Sequence, residues 1–166
     1  MFREVRQEKQ SLAKEEVDSI LERGKYGTLA LQGDDEYPYS VPISYIYYNG
    51  KIYFHSVPSG HKIDAITAND KVSFSVIDEA KLVPEEYTFY FRSVIAFGKV
   101  RIADEEERLE VFHAFTTKYS SPVPEAERRA KVAGCNRVQF YAIEIEHVTG
   151  KEAYDLAIQR EANKEE

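Results

Sequence analysis

The chain has no tryptophan, one methionine and one cysteine among its 166 residues. A lone thiol, Cys135, excludes an intrachain disulfide and leaves a cysteine-based metal site short of ligands. No apolar run approaches the roughly 20 residues that a membrane-spanning helix needs. The opening stretch Phe2-Arg3-Glu4-Val5-Arg6 is charged and lacks the apolar core of a secretion signal, so a cytoplasmic protein is expected. Positive charge is also scarce: 22 Lys and Arg stand against 29 Asp and Glu, a formal net charge of −7. That balance argues against nucleic-acid binding, which depends on neutralising phosphates. One small anion remains possible, because a local site needs only a few donors. The four histidines show no ligand spacing such as His-x-x-x-His, so no metal is expected. A Gly-x-Gly-x-x-Gly fingerprint and a Gly-x-Ser-x-Gly elbow are both missing, which removes the simplest dinucleotide and hydrolase readings.

What the chain does have is aromatic residues. Twelve Tyr and nine Phe favour strands and buried interfaces. The length suits one domain with a sizeable core.

Ser11 to Gly24 has the spacing of a helix, with Ser11 at its start and Gly24 at its end. Tyr26–Gln32 and Tyr39–Tyr48 read as strands, the second placing Val41, Ile43, Tyr45 and Tyr47 on one face. Asn49-Gly50 then predicts a tight hairpin turn into a strand over Lys51–Ser56, because a type I′ turn needs positive φ at both central residues. A short helix is expected over Gly60–Ala68, a strand over Lys71–Ile77 and a loop over 78–87. Thr88–Ile102 is a long β-branched and aromatic stretch. Asp104 and Glu107 form a capping box for a further helix, ended by Pro122 and Pro124. A short helix over Glu125–Ala133, a strand over Arg137–Thr149 and a polar tail of helical potential complete the chain. About six strands in hairpin order with flanking helices define an α+β, mainly β domain built on an antiparallel barrel.

The densest chemical constellation is His55-Ser56-Val57-Pro58-Ser59-Gly60-His61-Lys62, between a strand end and a helix start. Ser59 is the expected N-cap. Open backbone amides at a helix start suit a phosphate, Gly60 permits close approach, Lys62 adds a charge, and Ser56 and His61 add donors. The plain alternative is a capped helix with a solvated lysine, and Gly-x-Lys alone does not decide between them. His55 titrates near neutrality and so suits either proton donation or hydrogen bonding. A strand-end histidine without a role has the same appearance. In Tyr90-Phe91-Arg92-Ser93-Val94 an Arg-Ser pair interrupts an aromatic strand, marking either a ligand face or a solvent face.

Tyr26-Gly27-Thr28-Leu29-Ala30, Pro38 to Tyr45, Ile52 to Ser56 with Gly60-His61-Lys62, Tyr90 to Gly98 and Thr149-Gly150-Lys151 occur in that order. In order and spacing they resemble the pyridoxamine 5′-phosphate oxidase-like split barrels, and among those the nitroimidazole-resistance (Nim) branch, over residues 1–152. The resemblance implies a six-stranded antiparallel split β-barrel that forms a homodimer with FMN at the interface. Residues 153–166 form a separate polar tail. It implies that Val41, Pro42, Ile43 and Ser44 run along the flavin ring. His55 and Ser56 lie near the ring and ribityl chain, and Gly60, His61 and Lys62 hold the phosphate. Arg92 and Ser93 reach the cofactor across the dimer. It further implies an FMN-dependent oxidoreductase, nitroreductase-like, in which His55 is the catalytic group beside the flavin. The electrons come from the cofactor; the protein orients substrate and supplies protons.

Two departures matter. His61 stands where the branch often has Lys or Arg. Tyr141–Lys151 also lacks the arginine pair that clamps a substrate phosphate in true pyridoxamine phosphate oxidases, which argues against vitamin B6 oxidation. The alternative is a non-catalytic flavin- or heme-binding, redox-sensing split barrel, with His55 or His147 as an axial ligand.

Overall fold

Seven strands follow the alternation of the sequence: β1 (Tyr26–Gln32), β2 (Pro38–Ser44), β3 (Ile46–Tyr48), β4 (Lys51–Ser56), β5 (Lys71–Val83), β6 (Thr88–Ile102) and β7 (Gln139–Glu152). Five α-helices flank them: α1 (Lys14–Arg23), α2 (His61–Ala68), α3 (Glu105–Tyr119), α4 (Glu125–Gly134) and α5 (Tyr154–Ala162). The structure is a computed structural model that describes residues 2–135 and 137–163; Met1, Asn136 and the end of the tail, 164–166, lie outside the described residues.

All pairings are antiparallel, and the strands run in the order β2-β1-β5-β6-β7-β4-β3. The first and last strands of that order are one continuous piece of chain, broken only at Tyr45. The expected single strand Tyr39–Tyr48 therefore leaves β1 and joins β4, and this exchange closes the sheet into a barrel. It accounts for seven strands where six were expected. The break is held from outside by Tyr119 of α3. Its hydroxyl accepts from the Tyr45 N–H at 3.3 Å and lies 2.7 Å from the Tyr45 carbonyl, so backbone groups that lose a ladder partner are satisfied. The Tyr45 ring is fully buried and its hydroxyl donates to the Leu21 carbonyl at 2.9 Å, which ties the break to α1.

Inward positions fill the barrel with Leu29, Leu31, Ile52, Phe54, Phe74, Val76, Val94, Ala96 and Ile143, and α1 adds Val17, Ile20 and Leu21. A second apolar cluster lies on the outer face of β4 and β7. There Tyr53, Phe140 and Ala142 meet Val111 and Phe112 of α3 and Val132 of α4. Gly98 sits at a bulge between β6 and β7, where a Cβ would stand 2.2 Å from the Glu144 carbonyl oxygen. Only glycine permits so close an approach.

Asn49 (φ 48°) and Gly50 (φ 74°) form the expected turn between β3 and β4. Other boundaries move. Ser11 does not cap α1. It bridges to Lys151 of β7 instead, and the helix begins after Ala13. Nor does Ser59 cap α2: Gly60 takes the cap position at φ 107°, and no side chain caps the helix. The expected loop 78–87 is largely strand, because Glu79–Val83 pair with Thr88–Arg92 and only Pro84–Glu86 turn. Asp78 falls at the register shift in this ribbon and takes Arg23 on both carboxylate oxygens at 2.7 Å. Asp104 accepts from the Glu107 N–H as half of the capping box. The Glu107 carboxylate turns to Arg101 and Tyr53 rather than back to Asp104, and Arg101 above all holds it at a pKa of about 2.

Candidate functional site

The end of β4 and the start of α2 form the candidate site. Outward alternation on β4 places the His55 ring outside the barrel, edge-on to Phe115 of α3 at 4.9 Å and tilted on Phe140 at 5.7 Å. Inward alternation buries Phe54, whose ring stacks on Tyr141 at 5.3 Å. The Lys62 ammonium reaches back from α2 to 5.6 Å from the Phe54 ring centroid. It enters none of the ion pairs or hydrogen bonds among the described residues. Burial pushes its pKa below the ordinary lysine range. A half-buried cation without an anion, beside a helix start whose first amides have no side-chain cap, fits a phosphate.

His61 stacks on Tyr39 of β2 at 4.2 Å, and its Nε2 lies 3.5 Å from the Asp34 carboxylate in the β1–β2 turn. The start of α2 is thereby pinned beside β2. Val41 and Ile43 pack inward on the barrel core, while Pro42 is exposed and Ser44 half-buried. Only the backbone and the intervening side chains of that segment thus face outward. β2 has no strand on its outer side in the sheet order, so its edge groups are open, and Pro42 is tolerated there because it has no N–H to lose.

One protomer brings together Gly60, His61 and Lys62 with His55 and Ser56 on one side and β2 on the other. Arg92 and Ser93 are not among them. Both lie on β6, separated from β2 by β5 and β1 in the sheet. The Arg92 guanidinium is engaged by the buried Glu152 carboxylate at 3.3 Å and by Glu79 at 3.9 Å. Ser93 faces the outer surface and lines a cavity with residues of the N-terminal arm. His147 stacks flat on Phe2 at 5.0 Å, with Nε2 3.9 Å from Glu4. Sequence reasoning passed over Tyr39, Asp34 and Phe115. Tyr39 stands in the sequence as a strand residue, and nothing local to it or to Asp34 signals a partner on α2.

Burial, and after it the Lys62 charge, pushes the His55 ring below its ordinary value, so the ring is neutral at neutral pH. Because the folded ring binds a proton less readily than the unfolded chain does, its contribution to stability is complete above the ordinary value of 6.5. It is lost as pH falls from there through the lower folded value. Thermal unfolding between about pH 8 and about pH 5 should show Tm declining in that window. His55→Phe, which keeps an aromatic ring against Phe115, should flatten that part of the decline. An unchanged slope would mean that His55 does not sense its surroundings.

An antiparallel barrel of this strand order, closed by a chain that leaves one edge and joins the other, is a split barrel. The chain belongs to the family described as Pyridoxamine 5′-phosphate oxidase, whose profile matches residues 13–152. It is 26% identical over 154 residues to an uncharacterized protein of Rhizobium meliloti (strain 1021), covering 86% of this chain and 93% of that one. Among solved structures it is similar to a proposed 5-nitroimidazole antibiotic resistance protein of Bacteroides thetaiotaomicron, with TM-score 0.69, 23% identity and 86% of each chain covered. It is also similar to the FAD and heme binding protein of Mycobacterium smegmatis, with TM-score 0.71, 20% identity, and 92% and 80% covered. At these identities the structural likeness is one of fold. Among the described residues no helix is long and apolar enough to cross a membrane, and no group of three or more His, Cys, Asp or Glu is placed to hold a metal.

Proposed function

We propose that the protein is an FMN-dependent oxidoreductase acting as a homodimer, with the flavin between two barrels and a small nitroaromatic-type substrate against its ring. The observation that carries this reading is Lys62, a half-buried ammonium without an anion at the uncapped start of α2. When bound, the flavin supplies and accepts the electrons. Lys62 and the first amides of α2 hold the phosphate, and Gly60 leaves its approach clear, since nothing lies within 4 Å of where a Cβ would be. The open edge of β2 offers backbone donors and acceptors to the ring system. His55, kept neutral by burial and by Lys62, presents one N–H donor and one acceptor and would polarise a substrate oxygen by hydrogen bonding. The partner barrel would cover the outer face of the β5–β6 ribbon, where Ile77 (73% exposed), Phe89 (55%) and Ile95 (43%) are in solvent. Arg92 and Ser93 lie on the same ribbon and would approach the flavin from the partner. The relatives support the reading: one binds FAD and heme, and another is named for resistance to a nitroaromatic drug.

The test is the visible spectrum of the purified protein, with release and identification of any chromophore and the mass of the particle in solution. The expected result is a flavin pair of bands, FMN at one per chain, and a dimer. A colourless protein that cannot be loaded with FMN would sink the proposal. A Soret band would move the case to heme.

A further inference from the structure

The two side chains that follow Gly60 point opposite ways. Lys62 reaches back toward β4, with its ammonium 5.6 Å from the Phe54 ring centroid. His61 turns toward β2 and the β1–β2 turn. Its ring lies nearly parallel to Tyr39, at 4.2 Å and 14°, and its Nε2 is 3.5 Å from the Asp34 carboxylate. The start of α2 is thus flanked by a cation on one side and by a stacked pair of rings on the other. A Lys or Arg at position 61 would put a second full charge there; this chain puts a wall.

Behind the wall stand three consecutive carboxylates, Asp34, Asp35 and Glu36. None of them pairs with a lysine or arginine among the described residues, and Asp34 has His61 alone. Hydrogen bonds close the turn that carries them, from the Gly33 N–H to the Tyr37 carbonyl at 2.8 Å and from the Tyr37 N–H to the Asp34 carbonyl at 3.1 Å. β2 leaves this turn at Pro38, so Tyr39 is its second residue and Val41 to Ser44 lie farther along. In the flavin reading the ring follows the open edge of β2 and the phosphate sits at the start of α2, beside Tyr39. A terminal phosphate monoester stops short of the His61–Tyr39 wall. The second phosphate of a diphosphate has to pass it and then meet the acidic turn. The rings occupy the space, and the carboxylates repel the charge. In water a like charge at about 4 Å costs about fivefold in affinity, and at physiological salt the repulsion reaches about 8 Å.

We propose that His61, Tyr39 and the acidic turn are specificity residues that admit a flavin mononucleotide and refuse a flavin dinucleotide. The inference rests on the flavin reading and adds to it which flavin this chain selects and by what means. The fold by itself leaves that choice open, since a protein of similar fold binds FAD. Lys62 supplies affinity for a phosphate. His61 and the turn supply the discrimination, by obstruction and by unpaired like charge.

The test is calorimetric titration of the full chain, freed of bound flavin, with FMN and with FAD at one ionic strength. FMN is expected to bind at least about tenfold more tightly than FAD, the effect of two or more carboxylates at about fivefold each. Asp34→Asn/Asp35→Asn/Glu36→Gln removes the charge and keeps the shape. Asp35 and Glu36 sit at φ 52° and 62°, and asparagine adopts such values as readily as aspartate, so the turn is retained. This variant is expected to lower the FMN-to-FAD affinity ratio by about fivefold or more. His61→Ala, which opens the wall, is expected to lower it too. Added salt should narrow the ratio in the unaltered chain and leave it unchanged in the neutral variant. The readout is a ratio within one protein, so a loss of stability that weakens both flavins alike does not imitate the effect. FAD bound as tightly as FMN by the unaltered chain, or a ratio that neither variant moves, would overturn the selection and leave the flavin reading standing. Binding of neither flavin would overturn both.

Discussion

Replacing Lys62 with alanine is expected to cost the protein its flavin while leaving the barrel intact. Hydrogen bonds to charged groups are worth about 1.5–3 kcal/mol, which converts to roughly a ten- to hundred-fold loss of affinity for FMN. No carboxylate depends on this ammonium, and burial already disfavours its charge, so Tm should hold or rise slightly. FMN fluorescence titration of the apoprotein measures the first quantity and thermal unfolding the second. Lys62→Arg, which keeps the charge, should retain most of the affinity. If Lys62→Ala binds FMN as well as the unaltered chain, the phosphate is not at the start of α2. If it fails to fold, Lys62→Arg and Lys62→Gln carry the comparison.

Glu152→Ala should be among the most destabilising substitutions in the chain. The Glu152 side chain is 0% exposed, between Arg92 Nε at 3.3 Å and Arg160 Nη1 at 3.2 Å. It joins β6, the end of β7 and helix α5. A buried ion pair is weak support for stability as a whole, since desolvation offsets much of the attraction. Removing one member is different, because Arg160 then remains partly buried without an anion and Arg92 keeps only Glu79 at 3.9 Å. Such a loss costs about 3–5 kcal/mol, and the partial exposure of both arginines places it at the lower end. For a chain of this size about 3 kcal/mol corresponds to roughly 6–12 °C in Tm. Differential scanning calorimetry measures it. The Glu152→Ala/Arg92→Met/Arg160→Met variant, in which no charge is stranded, should recover much of the loss. A drop of less than about 1 kcal/mol would show that the arginines find water on their own.

Arg92 shows where reading the sequence stops. A polar residue inside an aromatic strand is a fair candidate to face a ligand, and alternation correctly separates its face from that of Ser93. Its neighbour Glu152 is 60 residues away along the chain, and only the pairing of β6 with β7 brings the two opposite. The segment 78–87 shows the same limit from the other side. Asp78, Glu79 and Lys81 look like a polar loop, yet 79–83 form strand, because ladder pairing with 88–92 needs no burial.

The sequence by itself determined what is local. Asn49-Gly50 set a turn that only such residues adopt freely, alternation set which strand faces turn inward, and His55 through Lys62 placed a histidine and a lysine at a strand end and a helix start. The tertiary structure decided everything that depends on distant partners. It set the break at Tyr45, which closes the barrel because Tyr119 of α3 satisfies its backbone groups. It pinned α2 to the β1–β2 turn through His61, Tyr39 and Asp34. Turn and strand preferences are written residue by residue, whereas these contacts exist only after long loops have closed.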